Sequence, residues 1–136
     1  MKQRHRIHQN LLNLTALAIL ATYAFSQAPP KQAQPKYDPS TEATLKGSVE
    51  ELKLVPPDGA KPVAYLVMKS GQDSVQIYLC PKSFLDEMGF AIKAGDEIQL
   101  TGSKITQAGA DLTLAREVVK GGDTLTLRFK DGKPAW

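Results

Sequence analysis

Apolar and polar residues alternate with period two over most of the chain from Thr41 to Trp136, the spacing that puts one face of a strand on a core and the other in solvent. Thr44–Leu54 reads as one long strand interrupted by Gly47, where a bulge or sharp coil is expected. The turn VPPDGAKP follows. Val63–Lys69 and Ser74–Leu79 then form a hairpin across Ser70-Gly71-Gln72-Asp73. Its core face takes Leu66 and Met68 from one strand and Val75, Ile77 and Leu79 from the other. Tyr65, Val67, Lys69, Gln76 and Tyr78 fall on the opposite face.

The period changes at "IYLCPKSFLDEMGF". Pro81 suits a first helical turn, Ser83 and Asp86 make a weak capping box, and Phe84, Leu85 and Met88 share a helical face. Gly89 is placed to stop the helix in a left-handed conformation. Alternation resumes at Glu97–Thr101 after the Gly95-Asp96 turn, with Ile98 and Leu100 inward and a bend allowed at Gly102. Asp111–Val119 and Asp123–Phe129 supply two more strands. The expected architecture is mainly β: five strands plus one extra C-terminal strand, with one short helix between strands three and four.

That order, with a glycine inside the first strand and Gly-Asp-x-Ile-x-Leu-x-Gly opening the fourth, resembles the OB-fold, a small Greek-key barrel, over residues 44–120. "AYLVMKS", "VQIYLCP", "AGDEIQLTGSKI", "LAREVVKGGDTLTLR" and "DGKPAW" together look like an uncharacterised domain of small exported bacterial proteins, similar to the C-terminal domain of the magnetosome MamS and MamX proteins. In the pattern associated with that domain, histidine stands where this chain has Tyr65 and Tyr78, and glycine where it has Cys80. Those departures weigh against a metal- or haem-related role here.

The N-terminus changes the reading of charge. Lys2, Arg4 and Arg6 precede the 15-residue apolar run LLNLTALAILATYAF, and Ser26-Gln27-Ala28 offers small residues to a signal peptidase. Residues 1–28 are read as a signal peptide cleaved after Ala28, with export to the periplasm or medium. The run is short of the roughly 20 residues that cross a bilayer, so membrane attachment is expected only if the leader is uncleaved. Residues 29–40, with Pro29, Pro30, Pro35 and Pro39, read as a disordered spacer. Residues 41–136 form the domain.

All three of those basic residues leave with the leader, so residues 29–136 carry fourteen charges of each sign. A neutral chain lacks the clustered cations that bind nucleic acid nonspecifically. His5 and His8 leave too, and the mature protein has no imidazole.

Cys80, the single cysteine, therefore has no histidine to form its thiolate. It is read as a small buried residue, with an intermolecular disulfide as an alternative in an oxidising compartment. The acid pairs Glu50-Glu51, Asp86-Glu87 and Asp96-Glu97 are read as solvated surface, because strand neighbours point to opposite faces. Spacings for zinc, calcium, phosphate loops and haem attachment are absent, so no metal and no cofactor are expected.

The expected function is a non-enzymatic binding or interaction module using the face of strands two and three. Tyr65, Lys69, Gln76 and Tyr78 with Arg116 are the candidate contacts to an extracytoplasmic protein partner. The aromatic rings can stack, and Lys69 or Arg116 can meet an anion. Covering the sheet, or packing beneath the Pro-rich spacer, is the structural alternative for the two tyrosines. An oligonucleotide- or oligosaccharide-binding domain and a thiol-dependent redox protein acting through Cys80 are the other functional classes. Trp136 is read as a packing anchor for the last turn.

Overall fold

In the computed structural model, residues 35–56 and 61–136 are described. The leader, most of the spacer and the tip of the VPPDGAKP turn lie outside them. Six strands and one helix follow in chain order: β1 (Glu42–Val55), β2 (Val63–Ser70), β3 (Asp73–Pro81), α1 (Lys82–Met88), β4 (Glu97–Gln107), β5 (Ala110–Lys120) and β6 (Asp123–Thr126). Neighbours run β3-β2-β1-β4-β5-β6, all antiparallel, and β3 returns to pair with β5 in parallel. The first five strands thus close into a ring, and β6 extends it on β5. The mainly β class and the position of the helix are as the sequence predicts.

One strand serves two neighbours because it coils. Glu42–Ser48 of β1 pairs with β4, and Ser48–Val55 pairs with β2. The changeover lies beside Gly47, where an added Cβ would sit 2.0 Å from the Lys69 carbonyl oxygen. Gly47 is therefore needed for close backbone approach. The bulge itself falls two residues later, between Val49 and Glu51, so of the bulge or sharp coil expected at Gly47 it is the coil that the glycine carries.

Leu66, Met68, Ile77, Leu79, Leu100, Val118 and Leu127 fill the ring and are fully buried. A second bulge, between Ala64 and Tyr65 against Cys80 and Tyr78, leaves Leu79 as the extra residue of β3. It breaks the alternation, so Leu79 and Cys80 both join the inner core while Tyr78 stays on the outer face. α1 starts directly after Pro81 with no side-chain cap, so the Ser83 box does not form, and it ends at Gly89 with φ 62°. Phe84 and Leu85 face the core as expected, but Met88, the last residue of the helix before its Gly89 cap, is 51 % exposed.

The spacer expectation fails at its C-terminal end. Tyr37 is buried, and Pro39–Thr41 forms a 3₁₀ turn whose preceding residue, Asp38, accepts from the Ser40 amide at 2.9 Å. The Asp38 amide in turn donates to Ser103 Oγ of β4 at 3.0 Å. Proline-rich composition signals an inability to build a core, not an inability to be pinned onto one.

A glycine that admits a neighbouring backbone gives a direct test, since a carbonyl cannot move aside as a flexible side chain can. At Gly102 an added Cβ would lie 2.4 Å from the Leu114 carbonyl oxygen, whereas at Gly122 it would meet nothing. In urea denaturation, Gly47→Ala and Gly102→Ala are each expected to lower stability by roughly 1–3 kcal/mol, with Gly122→Ala close to neutral.

Candidate functional site

The ring closes on two residue pairs, Ile77 with Thr113 and Tyr78 with Leu114, and the surface on either side of that seam holds the candidate sites. Towards the β2–β3 hairpin, β3 and β5 splay apart. Asp73–Gln76 of β3 and Asp111–Leu112 of β5 carry on without a sheet partner on their facing edges. A cleft of about 640 Å³ opens there, with Val75, Ile105 and Leu112 among its walls and Gln76, Lys104 and Asp111 at polar positions.

On the other side, Tyr78 lies in a cluster with Tyr37 and Leu114, and is only 8 % exposed. Tyr65 packs edge-on against it at 5.2 Å. Burial raises the phenol pKa of both Tyr65 and Tyr78, because the phenolate loses solvent. The sequence-predicted tyrosine pair is thus brought together, but Tyr78 is covered by the end of the spacer rather than offered to solvent.

Of the other predicted contacts, Lys69 and Gln76 are exposed, and of these two Gln76 lines the cleft. Arg116 is already engaged. Its Nε and one terminal nitrogen donate to the two carboxylate oxygens of Glu42 at 2.9 and 3.0 Å, a forked geometry that leaves little of the guanidinium for a ligand. The same carboxylate accepts from the Tyr37 hydroxyl at 2.5 Å. Hydrogen bonds from Arg116 and then from Tyr37 hold the Glu42 pKa below its usual range. Glu42 lies seventy-four positions away in the chain, so no local pattern pairs it with Arg116.

The residue missed altogether is Arg128. In the run Leu-Arg-Phe its side chain is 5 % exposed while Phe129 is 57 % exposed, the reverse of what polarity suggests. Its guanidinium carbon lies 5.1 Å from the Trp136 ring centroid, 5.9 Å from that of Tyr78 and 6.0 Å from that of Tyr37. Trp136 also packs against Phe84 at 5.8 Å. The available signal was alternation, since Leu125 and Leu127 face inward and so place Arg128 on the Tyr78 side. Nothing local said that this side would be covered.

Cys80 is fully buried and unpaired. Desolvation pushes its thiol up to about 12. This is the small buried residue that the sequence reading favours, and the alternative of an intermolecular disulfide does not fit a sulfur enclosed by the ring core. Among the described residues, no group of three or more His, Cys, Asp or Glu side chains is placed to hold a metal ion, and no helix is long and apolar enough to cross a membrane.

A small closed β-ring with a helix after its third strand, and with a cleft beside the seam, is the class of domain that the geometry defines. The chain belongs to the MamS/MamX magnetosome protein family, whose pattern matches residues 41–125. No match is found among curated proteins.

The buried Cys80 and Tyr37 set a pH dependence. Both groups have folded pKa values of about 12; Tyr37 is raised by desolvation first and then by Glu42. The unfolded chain releases these protons at lower pH, so their stabilisation is complete below pH ~9 and is lost as pH rises towards ~12. Equilibrium denaturation between those limits should show falling stability, with a shallower fall in Tyr37→Phe. At pH 8 a thiol reagent should label Cys80 only under conditions that unfold the chain.

Proposed function

We propose that the domain is an exported, non-enzymatic module that binds a protein partner by accepting an extended segment of it in the seam cleft. The observation that carries this reading is the two-pair closure. Past it, two strands run in parallel with unpaired edges and form the walls of one cleft. Strand edges supply main-chain donors and acceptors, and alternate pockets between them read side chains, which is how an extended peptide is recognised by strand addition. Val75, Ile105 and Leu112 offer apolar contact, and Lys104, Asp73 and Asp111 offer charge at the rim. Gln76 is the member of the sequence-predicted set that belongs to this surface.

Oligonucleotide binding has less support. The walls carry Asp73 and Asp111 against Lys104, the wrong balance for a phosphate backbone. Membership of a magnetosome protein family directs the search for the partner to proteins of that assembly. Export rests on the leader, with its basic start, apolar run and small residues before Pro29.

Two measurements check the reading. Peptides selected from a random phage-displayed library against the purified protein should protect the backbone amides of Asp73–Gln76 and Asp111–Thr113 from hydrogen exchange. Gln76→Trp, at an exposed position, should fill the cleft and reduce their binding at least about tenfold while leaving the fold intact. Protection confined to other strands, or full binding by Gln76→Trp, removes the cleft from consideration. For export, N-terminal sequencing of protein recovered outside the cytoplasm should begin at Pro29; recovery of an intact leader in the cytoplasm contradicts it.

A further inference from the structure

Arg128 is a buried cation without an anion. Among the described residues no carboxylate pairs with it, and its Nε has no hydrogen-bond partner. One terminal nitrogen donates to the Gly132 carbonyl at 2.9 Å. The other compensation is three aromatic rings, each worth less to a guanidinium than a carboxylate. Burial accordingly lowers the Arg128 pKa, with Tyr78 and Tyr37 opposing. A fully satisfied structural arginine would not leave a donor buried and unmet.

Arg128 is among the residues that line a pocket of about 250 Å³, separate from the seam cleft and sharing no residue with it. Tyr37, Tyr78, Pro35 and Pro134 give this pocket flat apolar sides, while Lys36 and Lys133 add positive charge at its edge. Asp131, the acid in the lining, is held by its neighbour: its carboxylate accepts from the Lys133 amide at 3.0 Å and lies 3.4 Å from Lys133 Nζ. Asp131 and Lys133 thus offset one another, and Arg128 with Lys36 leaves the lining net positive, while the walls favour a planar body over a spherical ion. Apart from Tyr78, the residues named here lie outside the 41–125 segment that matches the family; the pocket is made where the two flanks of that segment meet on β3.

We propose that this pocket binds an organic carboxylate with an adjoining planar or aromatic group, the carboxylate meeting Arg128 and the body lying against the pocket-facing edges of Tyr37 and Tyr78 and the ring of Pro134. Such a group could be supplied by a free organic acid or by the carboxyl-terminal aromatic residue of another polypeptide, and both present the same chemistry to the site. Coordinated hydrogen bonding to a guanidinium, apolar enclosure and rim charge act on one ligand here.

The test is titration of the full chain with benzoate, followed through the arginine Nε–H resonances and the Tyr37 and Tyr78 ring signals. A saturable shift confined to Arg128 and those two rings is expected, with neutral benzamide producing none. Lys36→Gln and Lys133→Gln change exposed rim residues, and each should weaken benzoate binding by up to roughly fivefold, the range of a partly screened charge. They keep the test decisive even if Arg128→Gln does not fold. N-acetylphenylalanine distinguishes the sources: tighter binding than benzoate assigns the site to a chain terminus, and weaker binding assigns it to a free acid. No saturable shift with either acid, an equal response to benzamide, or an equal response to inorganic phosphate at matched ionic strength overturns the proposal.

Discussion

Two parallel residue pairs between β3 and β5 close the ring, and the cleft beside the seam follows from how short that closure is. A longer ladder would seal the cleft by pairing Asp73–Gln76 with the start of β5. A missing ladder would leave two long open edges, which a small β protein must protect against unwanted pairing. Ile77 and Tyr78 supply the closure from β3, and they face opposite ways. Ile77 goes into the inner core, and Tyr78 into the outer cluster with Tyr37 and Leu114. The closing strand is thus packed from both sides at the point where its hydrogen bonding is least extensive.

The outer layer is assembled from residues far apart in the chain. Glu42 at the start of β1 is the fastening point, since it takes both nitrogens of the Arg116 fork and the Tyr37 hydroxyl. This pins Tyr37 over Tyr78, and the turn after β6 brings Gly132 and Trp136 to the other side of Arg128. At Gly132 the chain has φ 85° and an added Cβ would come within 2.8 Å of the Tyr37 side chain. The C-terminal turn and the end of the spacer therefore pack in direct contact. The layer is more polar than the core it covers, and its cation is held chiefly by rings and one carbonyl, an environment that a ligand anion would complete.

Much of this architecture was legible in the order of residue types. Leu66, Met68, Ile77, Leu79, Ile98 and Leu100 are buried as alternation predicts, and Gly89 ends the helix in the expected left-handed conformation. The strand-to-helix corner at "LCPK" and the joining of Tyr65 to Tyr78 were also readable, because both depend on short-range pairing across one tight hairpin. What escaped were shifts of a single residue. The bulge at Leu79 interrupts the alternation of β3, and the bulge in β1 falls two residues past Gly47. An extra residue changes which face is presented without changing the pattern that announces a strand.

By itself the sequence determined the β class, the place of the helix and most of the inward residues of β2, β3 and β4, because these follow from local periodicity and from the dihedral limits of proline and glycine. It also determined that no histidine follows His8 in the chain, a matter of composition alone. Only the tertiary structure decided that Tyr37 belongs to the domain, that Arg116 is taken by Glu42, and that Arg128 is buried while Phe129 is exposed. Each of these depends on what covers the outer face of the ring. Covering is decided by segments more than sixty residues apart meeting in space, and no pattern within one strand encodes it.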